Sequence, residues 1–524
     1  MRGAALRGTG LLGTGLRGKD VAVALSLANL VFLRIWGEIL AVSSPDAYYS
    51  SLANGDVYAV MVNVLLLGGL ILGATAIARG FGRRGRMVII AGFVGVIVMQ
   101  LNGIGPELAT GVFTVIDPWK NGKYLEALAP VLVLLLITAV AVKWPAATLR
   151  RTVGLVYVLT PFVAVTFGRA ILLLVQVDPS AALAPTTRAI GTAVDSVRGP
   201  RVILIVMDAM TRRLAIDARP AGLKLPELDR LRAQSVDATQ VSQIGWVTKV
   251  SVPALLSGLP VTDADPADDN ELLLTLASGR TQEWSEAPNL LTEAQALGGV
   301  AIAVGWYHPY CRMFTSLDGC ATYAARMVGS RARETGFWRA LLDQQLALIP
   351  YLRLRLRQID IVKAQRRDLV RAATSGGRGL IFLHAIAPHT PWIWDETTGA
   401  YTLTRFEPDG YYGNLALADA VLGDIRRAME QAGQWDSAAV VLVSDHVMRY
   451  RPAYLKEPDD RRVPLIVKLP GGSGGVTYDR PLSAMVAHGL VQALLRGTLR
   501  TNEDVTTWLD AQPVARALRR APTR

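Results

Sequence analysis

Cysteine is nearly absent from this chain. Two of its 524 residues are cysteines, Cys311 and Cys320. That is too few for a disulfide-built scaffold, and their spacing in CRMFTSLDGC is not that of a zinc ribbon. Either they form one local disulfide, which an oxidising compartment permits, or they are two ordinary thiols. Histidine is scarce as well, with five in the chain. Charged residues make up 19% against 51% hydrophobic, and mean hydropathy is +0.30, high for a soluble enzyme. The formal net charge is +12. No basic motif interleaved with base-stacking aromatics accompanies it, which argues against a nucleic-acid partner. No internal repeat and no long low-complexity tract is present. A chain of this length exceeds one ordinary core, so at least two domains are expected.

The apolar excess lies in the first third. Five apolar segments, 21–42, 57–78, 87–101, 127–142 and 152–176, stand before residue 180. Most approach the ~20 residues that cross a bilayer as helix. Basic residues gather before the first segment (Arg2, Arg7, Arg17, Lys19), after the second (Arg79, Arg83, Arg84, Arg86) and after the fourth (Lys143, Arg150, Arg151). The intervening loops are acidic or mixed. The positive-inside rule then puts the amino terminus in the cytoplasm and everything after residue 180 outside. A cleaved signal peptide is the rival for the first segment, and it gives the same external placement. Arg34 and Glu38 sit four apart on one helix face, with Arg169 of the fifth segment as a partner for Glu38.

Residues 178–199 are rich in Ala, Pro, Thr and Ser and read as a linker. Beyond them, apolar runs at 201–207, 299–304, 379–385, 438–443 and 463–468 alternate with helical patterns such as 287–297 and 414–432. That alternation predicts an α/β layered domain with a largely parallel sheet. The stretch 337–372 is basic and amphipathic, and reads as a helix packed on its own domain or lying on an anionic membrane surface. The organisation expected is a transmembrane domain over 1–177, a linker over 178–199, a catalytic domain over 200–500 and a basic tail over 501–524.

Two of the apolar runs end in chemistry. RVILIVMD ends at Asp208, and AAVVLVSDH ends at Asp445 and His446. In open α/β sheets ligands gather at the carboxyl ends of the strands. Asp208, Asp445 and His446 form a mixed oxygen and nitrogen set that suits Zn²⁺ or Mn²⁺ better than Ca²⁺. Thr248 or Ser251, in WVTKVSVPALLSG, offers a hydroxyl that such a metal activates as a nucleophile.

With these residues in place, 200–500 resembles the sulfatase-like part of the alkaline phosphatase superfamily. With the preceding spans, the chain resembles the membrane phosphoethanolamine transferases and lipoteichoic acid synthases. The transferases' Thr–x–x–Ser–x–Pro segment falls on Thr248-Lys249-Val250-Ser251-Val252-Pro253. The resemblance implies Thr248 as nucleophile and Asp208, Thr248, Asp445 and His446 as metal ligands. True sulfatases carry a Cys or Ser that becomes formylglycine, within C/S-x-P-x-R. Threonine cannot be converted, and Leu255 stands where the Arg would be. Two departures separate the chain from the transferases. Asp208 replaces a usual Glu, and Val447-Met448 follows Asp445-His446 where Gly-Glu is common.

The segment LHAIAPHTP resembles the family's H-x₄-H-x-P. There the histidines contact phosphate, protonate the leaving group or hold a second metal, which implies such roles for His384 and His389. GWYHPYCR, 305–312, resembles a substrate-contacting region of the synthases. It implies that His308 and Arg312 bind phosphate or its head group, and Lys249 is grouped with them. The implied reaction moves a phospholipid head group, phosphoethanolamine or phosphoglycerol, through a phospho-threonine to an envelope glycan or lipid acceptor. The implied location is the cell membrane, multi-pass, with the catalytic domain outside. A hydrolase of phosphate or sulfate esters is the alternative. A degenerate scaffold is the third reading, and the intact Asp208, Thr248, Asp445 and His446 argue against it.

Overall fold

A computed structural model describes residues 17–40, 48, 54–82, 84–85, 87–92, 143–176, 187–190, 199–268, 270–324, 337–346, 350–404, 409–449, 460–472 and 474–513. The chain divides into two units that interleave in sequence. One comprises Met1–Leu40, Leu52–Ala182 and Ser330–Pro350, and the other Ala41–Ser51, Leu183–Gly329 and Tyr351–Arg524.

The first unit is helical. Gly18–Val31 and Leu33–Leu40 stand where the first apolar segment was expected, followed by Asn54–Arg79, Pro145–Val158 and Thr160–Gln176. Among the described residues two stretches are long and apolar enough to cross a membrane, Gly55–Ala78 and Arg150–Val175. Twenty-four residues of helix reach about 36 Å, more than the ~30 Å of hydrocarbon. The expected crossing at 127–142 and most of the one at 87–101 lie outside the described residues. The side chains of Arg34 and Glu38 lie outside them too. A further helix, Phe337–Gln345, belongs to this unit although it is encoded within the expected catalytic region. It packs Ala340 and Leu341 against Ala59. The Asn63 amide, buried within an apolar helix, donates to Leu341 O at 2.9 Å, and Gln344 donates to Asp56 O at 2.9 Å. A buried amide without partners is costly, and this helix supplies the partner that the Asn63 amide needs.

The second unit is a layered α/β domain. Its nine-stranded sheet runs, in order, Thr187–Arg188, Gly319–Ala324, Val300–Tyr307, Gly379–Ala385, Arg201–Met207, Ala438–Ser444, Leu465–Lys468, Val236–Ala238 and Val476–Tyr478. The five strands from Gly319–Ala324 to Ala438–Ser444 are mutually parallel. Leu465–Lys468 runs antiparallel to its neighbours, and so does Thr187–Arg188, which makes the sheet mixed. Arg201–Met207 is buried along its whole length. Val202, Leu204 and Val206 face one core with the helices Thr248–Ser257, Leu290–Ala296 and Val486–Leu495. Ile203, Ile205 and Met207 face the other, with Pro350–Ala373 and Asp409–Gln431. Burial on both faces is why this strand reads as a continuous apolar run rather than an alternating one.

Three boundaries differ from expectation. Thr187–Arg188, inside the expected linker, pairs with Ala321 and Cys320 at the sheet edge. The expected amphipathic stretch 337–372 is two helices, Phe337–Gln345 and Pro350–Ala373, in different units. The expected tail from 501 begins with a helix, Asn502–Asp510, which buries Val505 and Leu509 in the core. A capping box starts it: Thr501 Oγ1 accepts from Asp504 N, and the Asp504 carboxylate accepts from Thr501 N.

Candidate metal and nucleophile site

Every candidate ligand comes from the carboxyl end of a central parallel strand or from the helix beside it. Asp208 follows Arg201–Met207, and Asp445 and His446 follow Ala438–Ser444, the adjacent strand in register with it. Thr248 is the first residue of the helix Thr248–Ser257. Its hydroxyl donates to Asp445 Oδ2 at 3.0 Å and lies 3.3 Å from Asp208 Oδ2 and 3.3 Å from His446 Nε2. His446 Nε2 is 3.5 Å from Asp445 Oδ2 and 3.8 Å from Asp208 Oδ1. All four side chains are buried. Ser251, the other hydroxyl in the motif, bonds back to Val247 O instead.

The donor set fits a divalent cation. Bonds of ~2.1 Å at tetrahedral angles separate ligand atoms by about 3.4 Å, close to the spacings observed. Asp208, Asp445 and His446 each offer an atom within 4.8 Å of the others. Asp208 Oδ1 and His384 Nε2 are buried with no hydrogen-bond partner among the described residues. Burial, and then repulsion from Asp445, pushes the Asp208 carboxyl well above the ordinary range. Two buried carboxylates this close ionise together only beside positive charge. His446 is already oriented as a ligand. Its Nδ1 lies 2.9 Å from Val447 O. A carbonyl only accepts, so Nδ1 carries the proton and Nε2 keeps its lone pair.

The two ligand-bearing loops are stitched together. Ala209 N donates to Asp445 Oδ1, Met210 N to Ser444 Oγ, and Met448 N to Thr211 Oγ1. Tyr411 donates to Ala209 O and accepts from Thr211 N, while Gln243 accepts from Val447 N. Ala209 holds φ at 62°, a strained value for a residue with a Cβ. That turn aims its N–H at Asp445.

The histidines fall into distinct settings. His384 is fully buried, its Nδ1 2.9 Å from the Tyr310 hydroxyl and its Nε2 3.8 Å from Asp208 Oδ2. Burial lowers its pKa to about 4. His389 is half-buried and lies over Trp306, with ring centroids 5.1 Å apart. Its Nδ1 is 2.6 Å from Thr390 O, so Nε2 is left as an acceptor. His308 is fully buried beneath the nucleophile, with Nε2 3.2 Å from the Thr248 carbonyl, and burial lowers its pKa to about 3. The geometry therefore sets His308 behind Thr248. Arg312 donates to Tyr48 O at 2.9 Å. Lys249 pairs with Asp263 at 2.9 Å and Asp265 at 3.0 Å.

Several participants escape sequence reasoning. The Trp306 indole donates to Asp208 Oδ2 at 2.9 Å. It lies in an apolar strand, where an aromatic reads as core. Tyr411 and Tyr48 carry no local signal either, and Tyr310 shares with Trp306 only the resemblance of the whole segment 305–312. Arg449, three residues past His446, exerts its charge on both Asp208 and His389. The two cysteines form a disulfide, Cys311–Cys320.

The Sulfatase family profile matches residues 200–494, more than half of the chain. The chain belongs to the sulfatase family. No curated protein matches it. Among solved structures it is similar to Ps i-CgsB, at 17% identity and TM-score 0.42, covering 60% of this chain and 76% of that one. It is similar to the phosphonate monoester hydrolase SpPMH from Silicibacter pomeroyi, at 16% identity and TM-score 0.38, covering 57% and 73%. It is also similar to the PsFucS1 sulfatase from Pseudoalteromonas sp., at 13% identity and TM-score 0.38, covering 57% and 68%. As a sulfatase-family member the chain is an enzyme of sulfate or phosphate esters, a hydrolase or a transferase. Its buried Asp208, Asp445 and His446 can hold the metal ion that such chemistry uses.

Proposed function

We propose that this sulfatase-family chain is a membrane-anchored transferase. It moves a phospholipid's phospho-head group, phosphoethanolamine or phosphoglycerol, onto a glycan or lipid acceptor of the cell envelope. The observation that carries this reading is the Thr248 hydroxyl. It is an alcohol that cannot become formylglycine, and it sits 3.0–3.3 Å from Asp445, Asp208 and His446. An activated alcohol at that place forms a phosphate ester with the enzyme.

Asp208, Thr248, Asp445 and His446 would hold a divalent ion, Zn²⁺ or Mn²⁺, which would supply charge to lower the pKa of the Thr248 hydroxyl and offset that on phosphate. Thr248 Oγ1 then forms a bond to phosphorus as the bond from phosphorus to the diacylglycerol oxygen breaks. In net terms the proton that Thr248 gives up ends on that leaving oxygen, with His389 or His384 acting as the acid. In the second half the acceptor hydroxyl attacks the phospho-threonine, His389 Nε2 takes its proton, and the proton returns to Thr248 Oγ1 as that ester breaks. Trp306 holds Asp208 in place throughout.

Three features support a membrane and an external site. The helices Gly55–Ala78 and Arg150–Val175 expose large apolar side chains, Leu70 at 70% and Val175 at 76% among them. Cys311 and Cys320 are joined, as an oxidising compartment allows. Tyr48, from the connection between the first two apolar segments, belongs to the same unit as the site. This agrees with an extracytoplasmic loop and an external catalytic unit.

With water as acceptor, the same residues make a phosphodiesterase. Family membership keeps that second reading, or a sulfate-ester hydrolase, in play. The deciding experiment supplies the detergent-purified chain with Zn²⁺ or Mn²⁺ and labelled phosphatidylethanolamine or phosphatidylglycerol. Diacylglycerol release with a head-group adduct on Thr248, absent from Thr248→Ala, is the expected result. Turnover of soluble phosphodiesters or sulfate esters alone refutes the lipid donor.

A further inference from the structure

We infer that Tyr48, contributed by the loop between the first two apolar segments, is a positioning residue for the nucleophile Thr248, acting through His308. The inference rests on the proposed role of Thr248. Tyr48 is 1% exposed and packs in the same core as Val202 and Leu204. Its hydroxyl lies 2.9 Å from His308 Nδ1. Across the ring, His308 Nε2 lies 3.2 Å from the Thr248 carbonyl. Rings of Trp284, Tyr307 and Tyr310 surround the imidazole, with centroids 4.8, 5.0 and 5.8 Å away.

The tautomer follows from donor accounting. The Thr248 carbonyl can only accept, so Nε2 must carry hydrogen. In a neutral ring Nδ1 is then the acceptor, and Tyr48 O–H must donate to it. Tyr48 thereby fixes the one tautomer that bonds to Thr248. The alternative tautomer sets a nitrogen lone pair against a carbonyl oxygen. The bond to the carbonyl orients the peptide plane between Thr248 and Lys249, and with it the first turn of the helix that aims Oγ1 at Asp208, Asp445 and His446. A nucleophile misplaced by about 1 Å loses on the order of 10²-fold in rate. Arg312 anchors the tyrosine from the other side by donating to its carbonyl at 2.9 Å.

The test uses the full-length chain in membranes, labelled with ¹⁵N-histidine. With five histidines in the sequence, solid-state NMR resolves their tautomers, and His308→Gln assigns the His308 signals by loss. The expected wild-type state of His308 is protonated at Nε2, shifting to a mixture in Tyr48→Phe. In kinetics, Tyr48→Phe is expected to lower kcat about tenfold with KM unchanged. A glutamine amide donates to the Thr248 carbonyl without needing Tyr48, so Tyr48→Phe should cost little more on the His308→Gln background. A wild-type His308 protonated at Nδ1 overturns the inference. So does an unchanged kcat in Tyr48→Phe, or an equal loss in both backgrounds, which would mark a packing role. Turnover is assayed on the lipid donors and on a soluble phosphodiester. A wild-type chain that turns over neither refutes the proposed function, and the imidazole shifts still decide the link from Tyr48 to His308.

Discussion

Replacing Trp306 with Phe should weaken metal binding without touching a ligand. The indole N–H donates to Asp208 Oδ2 at 2.9 Å inside a buried site. A hydrogen bond to a charged group contributes about 1.5–3 kcal/mol. At about 1.4 kcal/mol per factor of ten, its loss corresponds to roughly 10- to 150-fold in affinity, which overlaps the range typical of partners that orient metal ligands. The sign with pH also follows. The indole bond favours the ionised carboxylate, so removing it raises the Asp208 pKa further above the ordinary range. Protons then compete more strongly, and Trp306→Phe should release metal at a higher pH than wild type as pH falls. The assay is calorimetric titration of metal-free, full-length protein at two pH values, with unfolding of the metal-free form followed in parallel. Affinity within about twofold of wild type at both pH values refutes the reasoning. A stability loss alone shows that the indole only fills space.

Thr248→Ala should lower diacylglycerol release by about 10³-fold or more, because only binding and electrostatic contributions remain; Thr248→Ser should keep a measurable adduct by mass spectrometry. His308 is buried neutral, its folded pKa about 3 against an ordinary 6.5. A depressed histidine pKa means the unfolded chain binds the extra proton, so stability is lost as pH falls from about 6.5 towards 3, by at most about 1.4 kcal/mol per pH unit. Urea denaturation at several pH values should show a shallower acid slope for His308→Gln by that amount. Arg212 is 1% exposed and grips Asp237 at 2.6 Å and 3.2 Å. Arg212→Met leaves that buried carboxylate to Arg232 alone and should cost about 3 kcal/mol in chemical denaturation; a cost under about 1 kcal/mol would mean solvent screens the pair.

The central sheet was legible because burial on both faces leaves apolar runs with chemistry at their ends, as at Asp208 and Asp445. Strand direction was not. Leu465–Lys468 reads like its parallel neighbours, since an apolar run carries no arrow. Thr248, Asp208, Asp445 and His446 come together because two adjacent parallel strands and one helix of the layered domain deliver them. Trp306 and Tyr310 lie in the segment 305–312 that the resemblance marks, yet His308 and Arg312 stand out from it, because in a buried strand or turn an aromatic already has an explanation as core. The polar atom that matters is one among many apolar ones. The helix Asn502–Asp510 was different. Its capping pattern, Thr501 with Asp504, stands in the sequence ahead of Val505 and Leu509, inside a segment whose basic residues read as a tail.

The interleaving of the two units bears on how the protein is made. Phe337–Gln345 completes the helical unit, and its partner Asn63 is synthesised almost three hundred residues earlier. Asn63 emerges from the ribosome long before Gln344 and Leu341 exist to satisfy its amide. At typical elongation rates of ~5–20 residues per second, the wait lasts tens of seconds. Tyr48 waits in the same sense, finished first and placed only when Val300–Tyr307 and the turn beyond it are built. Neither unit can mature as a separate cassette, so a fragment cut at residue 200 lacks Tyr48 and carries Phe337–Gln345 without Ala59 and Asn63, the residues it covers.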